Sequence, residues 1–373
     1  MKNKQLIYQV FVRNASKEGN FEYIRKNLDR LQVLGVDVLY LMPIQPIGEK
    51  ARKGTYGSPY AIKDYFGIEP TLGTLEDFRS LLNDAHAKGM KVILDMVFHH
   101  TSPDNELFKI HPEYYYLKDG KPGNRVGDWS DVIDLLTERP DVQEYLLSVL
   151  QFWVDLGVDG FRFDVASMIA LSFFKMARNA LGKDVIFFAE SVDTDFANYL
   201  ATTDTPSIPD DDMYPTFDYL YNYNYYRILE RQTKEGGHAY ELAEAISKEL
   251  NFTPMHCRVH CLENHDVERF AKRVIDPEKR ASWIRLTSRL YGHLFLYMGQ
   301  EFGNNTDVPL FEKQPVDWSY VDEDLARLYV EVIAEAKSLP PIDRQSIHAV
   351  DGNTLALSTE FADGSKLDEV FKL

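Results

Sequence analysis

Four stretches of the chain close an apolar run with residues able to hold charge or move protons. They are Asp95 with His99 and His100, Arg162 with Asp164, Glu190, and Glu263-Asn-His-Asp266. In Gly160-Phe-Arg-Phe-Asp-Val-Ala-Ser, residues 160–167, Arg162 and Asp164 share one face of a short buried strand, because strand side chains alternate. A buried Arg and Asp are costly unless they pair or react. Alone, such a pair reads as a structural ion pair; three further reactive strand ends weaken that reading. Beside Arg162, Asp164 is expected to have a lowered pKa and to stay ionised, as a nucleophile must. Glu190 follows the apolar run VIFFA. Desolvation there is expected to raise its pKa and keep its proton, as a general acid must. Asp95 reads as the residue that orients Arg162. His99 and His100 point to opposite faces if the strand continues through them, which argues against a two-histidine metal site.

The elements that position these residues repeat one grammar. LIYQVFV (6–12) is a buried strand, followed by a helix with Ile24, Leu28, Leu31 and Leu34 on one face, closed by Gly35. VDVLYLMPI (36–44) is the next strand. A helix starts near Thr74, carries Glu76 and Asp77 in its first turn, and stops at Gly89. Strand 91–98 follows, then helix 140–156, strand 160–165, helix 169–181, strand 184–189, helix 238–250, strand 256–262, helix 278–292, strand 294–298 and helix 322–338. A sixth strand is expected near 216–220. Repeated βα units with buried strands predict a parallel sheet, and eight of them predict a closed (β/α)8 barrel. No G-x-G-x-x-G follows the first strand, which removes the dinucleotide-binding fingerprint. Reactive residues at the ends of several strands lie where such barrels build their sites.

The expected domains are a barrel over 1–98 and 139–339, an inserted loop domain over 99–138, and antiparallel strands over 340–373. The insertion carries Tyr114, Tyr115, Tyr116 and Trp129, and reads as a lid or substrate wall. The tail has strand-like runs at 346–350, 354–361 and 367–373, separated by Asp-Gly turns. Such a short meander must pack on the barrel or begin a longer domain. A net charge of -17 argues against nucleic acid and anionic membranes as partners. Residues 1–14 lack a sustained apolar core, and no run reaches the length of a membrane span, so a cytoplasmic setting is expected. Cys257 and Cys261 lie about 13 Å apart along a strand, too far for a disulfide, and read as core thiols. The tyrosines at 214, 219, 221, 223, 225 and 226 read as a sugar-stacking wall or as packing.

The motifs, in order, resemble the α-amylase family, glycoside hydrolase family 13. DMVFHH at 95–100 is similar to the family's DxVxNH, GFRFD at 160–164 to its GxRxD, FFAES to the fifth-strand Glu, and ENHD at 263–266 to its NHD. SPYAIKDYFGIEPTLGT (58–74) resembles the block that supplies a site tyrosine, and MGQEFG (298–303) the eighth-strand end. The resemblance implies a retaining enzyme for α-glucosidic bonds of oligosaccharides or α-glucans. Asp164 would form a covalent glycosyl intermediate, and Glu190 would act as acid and then as base. Asp266 would hold sugar hydroxyls, while Tyr60, His100, Arg162 and His265 bind the sugar. Carboxyl groups about 5–5.5 Å apart are expected of retaining enzymes.

Departures from the family pattern narrow the expectation. His99 stands where calcium-binding members carry a ligand Asn, and calcium prefers oxygen, so no metal and no cofactor are expected. Val165 after the nucleophile resembles oligo-1,6-glucosidases. Hydrolysis of malto- or isomalto-oligosaccharides is the leading reading. A transglycosylase or phosphorylase differs in the acceptor that resolves the intermediate. A catalytically silent sugar-binding relative would lack one of Asp164, Glu190 and Asp266, all of which are present. Linkage preference, exo or endo action and oligomeric state are not encoded in these motifs.

Overall fold

The structure, a computed structural model, describes residues 4–126, 129–203, 205, 207–254 and 257–373. Eight parallel strands close into a barrel: β1 (Leu6–Val10), β2 (Val38–Leu41), β3 (Lys91–Met96), β4 (Gly160–Phe163), β5 (Ile186–Ala189), β6 (Tyr219–Tyr221), β7 (Arg258–Cys261) and β8 (His293–Tyr297). β1 pairs with both β2 and β8, which closes the ring. The fold is the (β/α)8 barrel expected. All barrel-strand residues except Lys91 are buried, which is why the runs read as continuously apolar.

The connecting helices follow their local signals. Leu75–Ala87 begins with a capping box in which Thr74 and Asp77 satisfy each other's backbone N–H. The first expected helix is two, Phe21–Lys26 and Leu28–Leu34. Asn27 interrupts it and donates its side-chain amide to the Tyr23 carbonyl at 2.8 Å. The apolar face survives the break, since Ile24, Leu28, Leu31 and Leu34 are all buried. The sixth strand forms one to three residues later than expected, at Tyr219–Tyr221. Residues 213–216 are instead drawn into a turn, with Thr216 N–H bonded to the Met213 carbonyl. The strand expected at 256–262 begins at a residue outside those described; its described part is Arg258–Cys261.

Inside the barrel, Tyr40, Phe188, Tyr221 and Phe295 pack ring against ring, with centroids 4.6–6.4 Å apart. They form a floor beneath the charged residues at the strand ends. Gly160 opens β4 because the Ile186 backbone occupies the space a side chain would need. A Cβ there would also lie 2.5 Å from the Ile186 Cβ. Gly160→Ala is expected to cost about 1–3 kcal/mol by overpacking. A thermal melt checks this; an unchanged midpoint would show that the β4–β5 contact yields.

Between β3 and the helix Pro140–Asp155, His100–Thr101 pairs antiparallel with Ile133–Asp134, and Leu117–Lys118 with Lys121–Pro122. Tyr115 anchors this segment, packed edge-on to Phe108. At the other end, β9 (Ile342–Asp351), β10 (Thr354–Phe361) and β11 (Lys366–Lys372) form an antiparallel sheet. It docks on the barrel. The Gln345 side chain donates to the Arg289 carbonyl at 2.8 Å and accepts from the Tyr291 N–H at 2.7 Å. Leu355, Leu357 and Phe371 are buried beneath it.

Candidate active site

One buried guanidinium gathers the carboxylates. Asp95 and Arg162 are directly paired neighbours on β3 and β4. Arg162 Nη1 donates to Asp95 Oδ1 and Oδ2 at 2.8 and 2.9 Å, and to Asp164 Oδ1 at 3.0 Å. Its Nη2 stands 2.9 Å from Glu190 Oε1, at ion-pair distance but without hydrogen-bond alignment. Three carboxyl groups from three strand ends thus meet one cation with no solvent exposure. Tyr40 holds Asp95 from below, donating to Oδ2 at 2.6 Å.

Glu190 is aimed by the residue after Asp164. The Val165 N–H donates to Glu190 Oε2 at 2.7 Å. Val165 reaches that position in the left-handed region, at φ 39° and ψ 47°, a strained choice for a β-branched residue.

Burial pushes the Glu190 carboxyl up to about 7, against the pull of Arg162. Asp164 does not behave as expected. Its pKa is raised well above the usual range, by burial first and the Glu190 charge next. The reason is that Arg162 does not belong to Asp164 alone; Asp95 and Glu190 share it. The two carboxyls therefore resist each other's ionisation and titrate as a pair.

The opposite wall is made of rings. Tyr60 stacks on His265 with centroids 5.5 Å apart, and its hydroxyl donates to Asp95 Oδ2 at 3.1 Å. Gln9 on β1 places its side-chain amide 2.8 Å from His265 Nδ1. His265 Nε2 then faces the Tyr60 hydroxyl at 2.5 Å and Asp266 Oδ2 at 3.2 Å. These contacts place the imidazole proton on Nε2. Burial lowers His265 and takes His100 down to about 4, so both rings are neutral at pH 7. His100 Nε2 lies 3.9 Å from Asp164 Oδ2. Asp266 is the most exposed carboxylate of the set, at the mouth. Tyr60, His100, Asp164, Glu190, His265 and Asp266 thereby line one cavity of about 260 Å³, with Arg162 and Asp95 beneath it.

His99 and His100 do not face opposite ways. β3 ends at Met96, the chain turns, and the two Nδ1 atoms meet at 3.1 Å. His99 Nδ1 also lies 3.8 Å from the buried Asp134. Two imidazoles and a carboxylate are a poor set for calcium, which takes six to eight oxygens. Among the described residues no group of three His, Cys, Asp or Glu is placed to hold a metal ion. Cys257 and Cys261 are both buried in the core, as expected. Of the tyrosine cluster, Tyr219, Tyr221 and Tyr225 are core residues, while the Tyr223 hydroxyl accepts from Asn264 at 2.9 Å.

Two sets of site residues escape sequence reasoning. Gln9 carried a usable signal, as a lone polar residue in an apolar strand. Lys53, Asp131 and Phe311, which also line the cavity, carried none.

Residues 9–330 match the model of the family described as alpha amylase, catalytic domain. The chain is 27% identical to the alpha-amylase MalA of Haloarcula japonica over 96% of its own length and 51% of that protein's. It thus spans about half of that curated relative. An oligo-1,6-glucosidase of Parageobacillus thermoglucosidasius is 31% identical over 44% of the chain and 35% of that enzyme. The crystal structure of an alpha-amylase from Lactobacillus plantarum superposes with a TM-score of 0.92 at 34% identity, covering 98% of this chain and 87% of that one. No described helix is long and apolar enough to cross a membrane. With these matches laid over a barrel whose strand ends gather carboxylates, the chain belongs to the alpha-amylase family of glycosidases for α-glucosidic bonds.

Proposed function

We propose that this chain is a retaining hydrolase of α-glucosidic bonds in malto- or isomalto-oligosaccharides. The observation that carries the reading is the shared guanidinium, which holds Asp164 and Glu190 together in the lining of a sugar-sized cavity. Asp164 attacks the anomeric carbon while Glu190 gives its proton to the departing glycosidic oxygen. The product is a glycosyl ester of Asp164 and a free hydroxyl on the leaving sugar. Glu190, now ionised, takes a proton from water, which displaces Asp164 and restores the starting configuration. Asp95 and Tyr60 keep Arg162 and the rings in place, and His100, His265 and Asp266 bind sugar hydroxyls. The mechanism calls on no metal or cofactor, and the setting is cytoplasmic.

The pH profile follows from Glu190. The acid must be protonated, so kcat/KM is expected to fall above about pH 7 and, one unit higher, to be roughly tenfold below its acid-side plateau. Incubation with maltotriose, panose and isomaltotriose, beside Glu190→Gln, tests the whole reading. Retained configuration by proton NMR, lost with the variant, is the expected result. An inverted product, or undiminished cleavage by Glu190→Gln, sinks it. A second reading has one observation in its favour. Trp129, Val165, Val192 and Phe196 pack around a small apolar cluster beside Glu190, a seat for an acceptor sugar. Transfer products in the presence of added maltose would then outnumber hydrolysis products.

A further inference from the structure

An ion pair stands in the lining of the cavity that holds the carboxylates. Lys53, in the connection after β2, places Nζ 2.8 Å from Asp131 Oδ1 in the segment after β3. Phe311, in the connection after β8, lies beneath the same ammonium, 5.9 Å from ring centroid to Nζ. All three residues line the catalytic cavity. Asp131 is nearly buried, so this pair is shielded from water more than a surface bridge is.

The side of the cleavage point that it covers can be read from its neighbours. Glu190 protonates the leaving oxygen, so the leaving group lies on the side of Glu190, Val165, Val192 and Phe196. The ring attacked by Asp164 lies against Tyr60, His100 and His265. Lys53 comes from the loop that delivers Tyr60 seven residues later. The Asp131 charge acts directly on His100. The bridge therefore stands over the attacked ring, at the end from which a longer chain would continue. A cavity of about 260 Å³ also falls below the roughly 300–1,000 Å³ usual for drug-sized ligands.

We propose that the Lys53–Asp131 bridge, with Phe311 beneath it, caps the non-reducing end of the site. The enzyme then removes short units from chain ends and does not cut within chains. This rests on the hydrolase reading above and adds the choice of cleavage position.

The test uses maltoheptaose, free or with its non-reducing end blocked by a 4,6-O-benzylidene group, with products read by chromatography. The wild-type chain is expected to cleave the free substrate at least about 100-fold faster than the blocked one. Lys53→Met and Asp131→Asn are each expected to narrow that ratio to about tenfold or less, by opening the capped end. Equal cleavage of both substrates by the wild type overturns the cap alone. Discrimination that survives in both variants overturns the bridge as its cause. Cleavage of neither form of maltoheptaose, nor of panose or isomaltotriose, by the wild type overturns the hydrolase reading, and this inference with it.

Discussion

Asp164→Ala is expected to lower kcat/KM by about 10⁴-fold or more, the scale of losing an essential nucleophile. The more informative result comes from adding azide with α-glucosyl fluoride, whose good leaving group needs little acid help. In Asp164→Ala the missing carboxylate leaves room below the anomeric carbon. Azide entering there displaces fluoride once and yields the β-glucosyl azide. In Glu190→Ala the glycosyl ester still forms on Asp164, and azide opens it from the other face to give the α-azide. Opposite configurations from the two variants assign the two carboxyls separately. The same configuration from both would overturn the assignment, whatever the rates.

Arg162→Met carries the largest expected effect on stability. The guanidinium is fully buried and serves Asp95, Asp164 and Glu190 at 2.8 to 3.0 Å. Removing one partner from a buried ionic group costs about 3–5 kcal/mol, because the remaining charge is uncompensated. The loss should depend on pH. Without the cation, the folded-state pKa values of Asp164 and Glu190 rise further above their unfolded values. A carboxyl raised in this way contributes stability below its unfolded pKa, and that contribution is lost as pH rises through its folded pKa. The deficit is therefore expected to be smaller at pH 5 than at pH 8. Arg162→Lys should recover only part of it, since an ammonium cannot present a planar fork to three groups. Denaturation at the two pH values checks this; a deficit below about 1 kcal/mol, or one independent of pH, would show that the carboxyls do not depend on Arg162.

The barrel was legible because its strands are buried on both faces and its helices keep one apolar stripe. Where the pattern misled, a local hydrogen bond had intervened. Asn27 splits a helix whose apolar spacing is unbroken, and the turn at Met213–Thr216 delays β6. The site residues were legible as strand ends, but their electrostatics were not. Arg162, two residues before Asp164, suggested a lowered Asp164 pKa, whereas the barrel brings Glu190 as well as the expected Asp95 to the same guanidinium. His99 and His100 were expected to face opposite ways if the strand ran on through them, and a turn after Met96 folds them against each other. Lys53 and Asp131 sit in connections without periodicity, 78 positions apart, and nothing short of the folded chain joins them.

The Gln9–His265 contact has a consequence for how the protein acquires activity. It spans 256 positions, from the first strand to the residues just after the seventh. His265 in turn meets Tyr60, and Tyr60 meets Asp95. The arc that runs from β7 through β8 and β1 to β3 must be in place before this chain of contacts can form. Pairings so distant in sequence form late, after the loop-closure entropy has been overcome. During refolding, helix content should therefore return before hydrolysis, and the regain of activity becomes a clock for the meeting of β1 with β8.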